Sequence, residues 1–578
     1  MKRIVSFTLV ILLLFLFVSC NNGDSGMQSS EISQALQSSE ISSEVSQPSS
    51  EESKVQPQPS SSSPSSSSQA RPDYVFTEED LYYNLMLDFP SDNGYSLTNK
   101  PEFSWTDIGA KSYTFYLYEK SESSFKLLKK QSNIKTAKYK LDFDLVLGRT
   151  YCWKVEAFKN NKTIKHVNST EAGACFMTVK RIEDGKNYKF DKVISQDVLK
   201  NYLAKSITLS LLSIFHDTYD EDIRLILNTG AKYISRAAIP WIPETNYDKA
   251  VSEYRKVIDK VHEIDPDIVF ETCIFETVDA SCKQVAIPAW VFEAFGQKPE
   301  NRTFSYEKML FPNGEYVNYW KNKLSVPDIT QLETQMYFYY RACQYIDAGF
   351  EAIHWGQVML IGKYDKNHAC YSRLINMVRE YATKNARRHF VFNNAHTHGM
   401  VGPDGVLLFD FHAFPMRGVA EDGSVDHAPT EQNPQKVVFK VNHLDSIYKR
   451  SLGGKTYSGW SCESLPYFVE IDNFWPGDKK YLNMAHPPAT SWMVCGVWGL
   501  DDISWFANQP ASYRHKWLEY AYNWVKETDP AGRLCMVGSR GAYIMSRDIY
   551  DNYFAHDNSL TSYGFGDEAK IKEIWSKA

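Results

Sequence analysis

The sequence predicts a multidomain protein in which a small all-β sandwich is followed by a large α/β domain, a (β/α)8 barrel. Three observations lead to this prediction. Residues 20–72 contain almost no side chains that could form a core, residues 73–180 alternate apolar and polar side chains with period two, and residues 185–530 repeat a helical pattern followed by a short apolar strand. The chain has 578 residues, of which 43% are hydrophobic, which is enough for two or more domains.

The first 19 residues have the pattern of a secretory signal peptide. A basic Lys-Arg pair precedes an apolar run over residues 4–18, which is short for a membrane-spanning helix. The run ends in Val-Ser-Cys, which resembles a bacterial lipobox, with Phe17 where such motifs usually have Leu. This resemblance implies that Cys20 is lipidated and anchors the chain in a bacterial cell membrane, facing outward. An ordinary cleaved signal followed by an incidental cysteine is the alternative.

Residues 20–72 predict a disordered tether behind the lipidated cysteine. They are mainly Ser, Glu, Gln and Pro, as in "SSSSPSSSS", and cannot bury enough apolar surface to offset the entropy of ordering. Such a tether would hold the folded part away from a membrane.

Charge and cysteine usage exclude several classes of function. The net charge is −7 and no basic block occurs, so nucleic acid is not an expected partner. The cysteines show no metal-ligand spacing, and neither a metal nor another cofactor is expected. Cys152 and Cys175 fall on apparently neighbouring strands and are the candidates for a disulfide.

Residues 73–180 predict the β-sandwich. The stretches "SYTFYLYE" and "YCWKVEAF" alternate with period two, and Trp105 stands where a sandwich would bury it. Leu145 precedes Tyr151 by six residues, so the segment resembles a fibronectin type III module with its tyrosine corner, although Leu147 stands where that family usually has Pro. The resemblance implies a spacer module, with sugar binding as the alternative.

The large domain is predicted from repeated helix–strand units. "DEDIRLILNTGAKYISRAAIPW" is one unit, and in "PDITQLETQMYFYYRACQYIDAGFEAIHWGQ" Gly349 is placed to end the helix. Two further units are "YDKAVSEYRKVIDKVHEIDPDIVFETCIFE" and "YSRLINMVREYATKNARRHFVFNNA", which makes four. Adding "SITLSLLSIF", "GVLLFDFHAF", "LPYFVEIDNFW" and "DDISWFANQ" as strands gives eight, which favours a TIM-type barrel. A doubly wound open sheet is the alternative, but no Gly-rich phosphate loop follows any strand. Residues 531–578 are predicted to cap the barrel.

Four carboxylates near predicted strand ends are the candidate catalytic groups, because the C-terminal ends of barrel strands carry function. Glu470 and Asp472 share one face of "YFVEIDNF", where mutual repulsion would raise one pKa and create a general acid. Asp410 lies in "FDFHAF" and Glu276 ends "IVFETCIFE". A structural Asp410–His412 pair and a solvated Glu276 are the alternatives.

A second set of polar and aromatic residues is predicted to bind substrate. Hydroxyl groups call for amide and imidazole partners, and the apolar faces of sugar rings stack on flat aromatic side chains. The predicted binding residues are His354, Gln357, Asn394, His396, His412, Trp460, Trp475 and Trp505.

Together, the tethered surface lipoprotein and the acid-lined, aromatic barrel resemble a glycoside hydrolase of the barrel superfamilies. The resemblance implies that one carboxylic acid protonates the glycosidic oxygen, while a second carboxylate attacks the anomeric carbon or activates water. The predicted pair is Glu470 or Asp472 with Asp410 or Glu276. Many barrel glycosidases carry an Asn-Glu pair at the end of the fourth strand, and "FEAIHWGQ" has none.

Two other functions stay open at this point. His354, His396, His398 and His412, with Asp410, could hold the metal of a barrel metallohydrolase. Alternatively, the protein is a surface lipoprotein that binds glycans without cutting them. Acyl transfer is disfavoured because no G-x-S-x-G motif occurs.

Overall fold

The computed structural model describes residues 85–92, 94–121, 124–166, 173–210, 219–238, 247–320, 322–420, 429–441, 450–472, 494–495, 499–500, 502–547, 549–557 and 563–577. The predicted signal peptide, Cys20 and the serine-rich tether lie outside these residues. Across the described ranges, no helix has both the length and the apolar character needed to cross a membrane.

The N-terminal domain consists of two β-sheets. Its strands are β1 (Leu87–Phe89), β2 (Gly94–Ser96), β3 (Glu102–Trp105), β4 (Ser112–Lys120), β5 (Phe125–Ile134), β6 (Lys138–Lys140), β7 (Thr150–Lys159), β8 (Lys162–Lys165) and β9 (Ala174–Thr178). One sheet has the order β1-β3-β6, and the other has the order β2-β9-β7-β4-β5 with β8 beside β7. The two-sheet β-domain predicted from the period-two pattern is therefore present.

The core of this domain is aromatic. Trp105 is buried as predicted, and its ring lies 6.3 Å from that of Trp153. The predicted disulfide between Cys152 and Cys175 joins β7 to β9. The Tyr151 hydroxyl donates to the Val146 carbonyl at 3.1 Å, in the segment predicted to form a tyrosine corner. The fibronectin type III assignment itself stays a prediction.

The second domain alternates strands and helices. Its strands are β10 (Ser206–Leu209), β11 (Tyr233–Ala238), β12 (Val269–Cys273), β13 (Val278–Asp279), β14 (Leu324–Ser325), β15 (Ala352–His354), β16 (Phe392–Asn394), β17 (His412–Pro415), β18 (Val419–Ala420), β19 (Val437–Val438), β20 (Gly454–Lys455), β21 (Ser461–Cys462), β22 (Tyr467–Glu470), β23 (Val494–Cys495), β24 (Gly499–Leu500), β25 (Gly532–Ile544) and β26 (Ile549–Phe554). Its helices are α1 (Gln196–Ala204), α2 (Tyr219–Thr229), α3 (Tyr247–Ile264), α4 (Ala289–Ala294), α5 (Leu332–Asp347), α6 (Val358–Ile361), α7 (Ala369–Asn385), α8 (Asp502–Asn508), α9 (Ala511–Thr528) and α10 (Glu568–Ser576).

Eight of these strands form a parallel sheet that curls into a nearly closed barrel. The order is β16-β15-β12-β11-β10-β25-β22-β17, and all of these neighbours are parallel. The gap between β16 and β17 is bridged by the Asp410 N–H to the Asn393 carbonyl at 2.8 Å, and by the Ala413 N–H to the Ala395 carbonyl at 3.2 Å. The prediction of an eight-stranded parallel barrel is confirmed at this level. Gly349, which follows the C-cap residue Ala348 of α5, has a φ of 97°, as predicted for a helix stop.

The identity of the eighth strand corrects two predictions. The stretch "DDISWFANQ" was expected to be a strand, but residues 502–508 form the helix α8. The eighth strand is β25, which pairs with both β10 and β22. The barrel therefore continues past residue 530 into the segment predicted to be its cap. The periodicity of a short, fully buried apolar run does not distinguish a strand from a helix. This explains why the segment of α8 was predicted as the eighth strand in place of β25.

The two ends of the barrel interior differ in chemistry. Helix α1 closes the end where the strands begin, and Leu199 and Tyr202 of this helix pack against the inward-facing rings of Phe392, Phe411 and Phe468. We call this end the floor. The end where the strands finish is lined by charged and polar groups, and we call it the mouth.

Candidate functional site

Glu470, the last residue of β22, is the central carboxylate of the mouth and is fully buried. Its Oε2 accepts from the Nε of Arg236 at 3.1 Å, and its Oε1 contacts the same guanidinium and lies 3.3 Å from the Nε2 of His396. Arg540 approaches Glu470 at 3.5 Å and donates to Asp472 at 2.7 Å. Two arginines therefore separate and neutralise the two carboxylates that were predicted to repel each other.

The expected rise in the pKa of one of these two carboxylates does not occur at Glu470. Burial acts to raise its pKa, but Arg236, the His396 hydrogen bond and Arg540 outweigh burial and hold the pKa well below its usual value. The side chain is thus ionised at neutral pH. A buried, ionised carboxylate is suited to act as a nucleophile or as a base.

Arg236 reaches Glu470 because β11 is irregular at this position. The pairing of β11 with β12 shifts register between Ile234 and Ala238, and Arg236 has a φ of 58°. Ser235 and Arg236 both direct their side chains inward, which successive residues of a regular strand do not do. A positive φ is unfavourable for a residue with a Cβ, and such strain is often found at functional sites.

Glu271, on β12, is a second extensively hydrogen-bonded carboxylate of the mouth. Four groups donate to it, namely the hydroxyls of Tyr233 (2.7 Å) and Ser235 (2.8 Å), the N–H of Arg236 (3.1 Å) and the side-chain amide of Asn394 (2.7 Å). Burial raises its pKa, while Arg236 and these donors counteract that increase in part. Glu271 therefore orients Asn394.

Asn394 in turn orients His354. Its side-chain oxygen lies 2.6 Å from the Nδ1 of His354, at the ends of the neighbouring strands β16 and β15. The His354 ring is fully buried and lies 4.7 Å from the His396 ring, centroid to centroid. Burial lowers the pKa of His354 well below its usual value, and nearby Arg236 and His396 lower it further, so the ring is neutral.

Glu276 and Gln357 form a second polar pair, separate from Glu470. Glu276 Oε2 accepts from the backbone N–H of Gln357 at 3.0 Å, and Oε1 accepts from its side-chain amide at 3.0 Å. The preceding Phe275 lies inside the mouth, 5.6 Å from the guanidinium of Arg236. Because neighbouring residues of the chain turn to opposite sides, the Glu276 carboxylate is bonded to Gln357, and the assignment of Glu276 and Glu470 as a catalytic pair stays a prediction.

Asp410 and His412 do not join the mouth, which corrects both predictions. Asp410 accepts from Arg379 of α7 at 3.2 Å and from the Asn393 N–H at 2.8 Å. The Nδ1 of His412 lies 3.0 Å from the Ser451 hydroxyl, and burial lowers its pKa to about 3. The ring of Phe411 between them belongs to the floor, so the alternation of the chain turns both polar residues outward.

The predicted aromatic binding platform is also not formed by the tryptophans that the structure describes. Trp460 donates to the Ile194 carbonyl at 2.9 Å and packs at the floor. Trp505 belongs to α8, is fully buried and donates to the Gln435 carbonyl at 3.0 Å. Trp505 is thus a core residue, and Trp460 is a half-buried residue packed against the floor. Trp475 lies outside the described residues.

The four histidines predicted as metal ligands fall into separate groups. His354 and His396 face Arg236, whose guanidinium lies 3.2 Å from the His396 Nε2, where a bound cation would be repelled. His398 stacks on Phe414 at 4.4 Å, in another part of the barrel. Among the residues that the structure describes, no cluster of three or more His, Cys, Asp or Glu could hold a metal ion.

From the sequence, Arg236 was placed at a strand end as a partner of Glu271, but its pairing with Glu470 and the role of Arg540 were missed, as were exposed tyrosines on the connections after β12 and β15. Tyr319 and Tyr364 are 40% and 47% exposed, and Glu315 accepts from the Tyr364 hydroxyl at 3.0 Å. The signal was present as the Tyr-rich stretch "YVNYW" and as "GKYDK", each following a predicted strand. The β11 irregularity that turns Arg236 inward leaves no comparable signal.

Comparison with models of known protein families and with curated proteins finds no match for this chain. The residues of the mouth and their geometry are therefore the basis for any functional proposal.

Proposed function

We propose that the protein is a lipid-anchored surface glycoside hydrolase, whose barrel cleaves O-glycosidic bonds of an oligo- or polysaccharide. The observation that carries this proposal is the buried and ionised Glu470 at the C-terminal end of a barrel strand. Burying ions costs several kcal/mol each, so such a group is expected where chemistry requires it. Carbohydrate is the proposed partner, because the surrounding amide, imidazole and carboxylate groups match hydroxyl donors and acceptors.

In this proposal Glu470 attacks the anomeric carbon or activates a water molecule. The proposed proton donor is Glu276. Of the other predicted carboxylates, Asp472 and Asp410 are each held by an arginine, whereas Glu276 is bound by the amide groups of Gln357. Glu276 is therefore the predicted carboxylate that the described residues bind through neutral groups, and we propose it as the acid on this ground.

The remaining parts of the chain support this activity in the proposal. Cys20 supplies the lipid anchor, residues 21–72 supply a tether, and the two-sheet domain acts as a fibronectin type III-like spacer. More than one acyl chain is needed for stable anchoring, as in a lipidated N-terminal cysteine.

The experiment is reducing-end release by the full chain from a panel of plant, microbial and host polysaccharides. Wild type is expected to release reducing ends from at least one glycan, and Glu470→Gln is expected to slow release at least roughly 10³-fold. Glu333→Gln is the matched control, because Glu333 is also buried and arginine-bound, accepting from Arg302 at 2.7 and 2.9 Å outside the mouth. Unchanged release in Glu470→Gln would refute the role of Glu470.

One observation favours a second function, glycan binding without cleavage. Both oxygens of Glu470 are engaged by arginine or histidine, and the carboxylates of Glu271 and Asp472 share Arg236 and Arg540 with it as hydrogen-bond donors. Such a site can bind hydroxyl groups without supplying an acid. This alternative predicts that wild type binds a glycan but never cuts it. It also predicts that Glu470→Gln loses this binding.

A further inference from the structure

His354, at the mouth, has a buried ring nitrogen without a hydrogen-bond partner in the described part of the chain. The Nε2 of His354 is fully buried and has no hydrogen-bond partner there, although Nδ1 is bonded to Asn394. Resting on the proposed glycosidase function, we propose that His354 Nε2 accepts a hydrogen bond from a hydroxyl of the sugar ring held against Glu470. The site would then require a free hydroxyl at that position of the sugar.

The first step of the argument is the orientation of Asn394. The Glu271 carboxylate receives four hydrogen bonds, and one of them comes from the side chain of Asn394 at 2.7 Å. A carboxylate that accepts in this way requires the NH2 group of Asn394 on its side. The amide oxygen of Asn394 must therefore point to His354.

The second step is the tautomer of His354. An amide oxygen only accepts, so the Nδ1 of His354, 2.6 Å away, must carry the proton. In a neutral imidazole the other nitrogen then has a lone pair and no hydrogen. Nε2 is consequently an acceptor, and it cannot donate to a ligand.

The third step concerns the charged groups around His354, which select the ligand chemistry. Arg236 and His396 lower the pKa of the buried ring, and Glu470 raises it to a smaller extent. Because the guanidinium of Arg236 acts electrostatically on the His354 ring, it would also repel a cationic ligand there, such as an ammonium group. A neutral hydroxyl group avoids this repulsion and supplies the donor that Nε2 needs.

The fourth step places this donor on the same sugar ring that meets Glu470. The His354 and His396 rings are 4.7 Å apart, and His396 Nε2 lies 3.3 Å from Glu470 Oε1. His396 thus contacts both groups and links His354 and Glu470 in one cluster. A ring whose anomeric carbon faces Glu470 can therefore present one of its hydroxyls to His354.

The tautomer is tested first, because its measurement does not depend on enzymatic activity. The full chain with 15N-labelled histidine is studied by NMR, and the His354 signals are assigned by their loss in His354→Phe or, if that variant does not fold, in His354→Gln. We expect a neutral ring protonated on Nδ1 that does not titrate between about pH 5 and 8. A ring protonated on Nε2, or one that titrates in this range, would overturn the inference whatever the protein does to glycans.

The recognition of a hydroxyl is then tested with 4-nitrophenyl hexopyranosides and their singly deoxygenated derivatives. Wild type is expected to cut one parent compound at least roughly 100-fold faster than one of its deoxy forms, since a site built to bond a hydroxyl rejects an analogue without it. His354→Phe should abolish this discrimination, and His354→Gln, which retains an acceptor oxygen, should restore part of it. Discrimination that is absent in wild type, or unchanged in His354→Phe, would contradict the inference.

The failure of the proposed hydrolysis gives a different pattern. If no parent compound is cut, the same compounds are titrated against the labelled protein. A selective shift of the Nε2 signal by a parent but not by its deoxy form would keep the inference and reject hydrolysis. No shift with any of them would overturn the inference as well.

Discussion

The floor and the mouth of the barrel are equally buried, but the floor consists of apolar rings and the mouth of charged and polar side chains. At the floor, the rings of Tyr202 and Phe392 lie 5.9 Å apart and those of Phe411 and Phe468 lie 5.5 Å apart, in an apolar and aromatic core. At the mouth, Glu470 and its arginine partners are withdrawn from water to the same extent.

The comparison shows where the fold is stabilised and where it is not. Burial of aromatic side chains contributes favourably to folding. Burial of ion pairs gives little or no net gain, because the loss of hydration offsets the attraction between the charges. A barrel of this kind would be at least as stable with an apolar mouth, and we infer that the charges are retained for function.

The largest expected effect comes from breaking the ion pair of the mouth. Arg236→Met leaves the buried Glu470 with one arginine less, and should lower the free energy of unfolding by about 3–5 kcal/mol. Urea-induced unfolding monitored by tryptophan fluorescence measures this loss.

The matched control is the double variant Arg236→Met/Glu470→Met. Removing both charges should return the free energy of unfolding to within about 1 kcal/mol of wild type, or above it, while the proposed glycan cleavage is lost. A double variant as unstable as the single one would contradict the view that the mouth charges do not stabilise the fold.

An intermediate effect is expected from pH, and its sign follows from the lowered pKa of Glu470 in the folded protein. The ionised form is favoured by folding, so its contribution is fully present above the unfolded pKa of about 4.3 and is lost as the pH falls through the folded value. The stability difference between wild type and Glu470→Gln should therefore shrink when the pH falls from 7 towards 3. A difference that is independent of pH would show that Glu470 is not held ionised.

The smallest expected effect comes from the floor. Phe411→Leu should reduce the free energy of unfolding by about 1 kcal/mol, because an apolar side chain of similar size replaces a buried ring. The rate of glycan cleavage per folded molecule should not change, as measured by reducing-end release at a temperature well below unfolding. A loss of activity without a loss of stability would mean that the floor and the mouth are coupled.

The barrel and several members of the mouth could be predicted because they depend on local patterns. Glu470, His354 and Asn394 each lie in a short apolar run that reads as a strand, and polar residues at strand ends stand out against it. The alternation of "FDFHAF" also correctly placed Asp410 and His412 on one face. It could not show that this face is turned to the helices, because that depends on the register of the whole barrel.

Other features depend on tertiary structure and could not be derived from sequence. The left-handed backbone of Arg236 has no local signal, and without it the pairing of Glu470 with two arginines cannot be anticipated. Two carboxylates in one strand were therefore predicted to raise a pKa, whereas their partners lower that of Glu470. Trp505 was misplaced because its short segment forms a buried helix.

The most direct test of the central claim is a crystal structure of the full chain carrying Glu470→Gln, with an oligosaccharide from the glycan that the protein cleaves or binds best. The account predicts a sugar ring in the mouth, with its anomeric carbon beside residue 470 and one hydroxyl on His354 Nε2. An oligosaccharide bound elsewhere, with the mouth filled only by water, would contradict it.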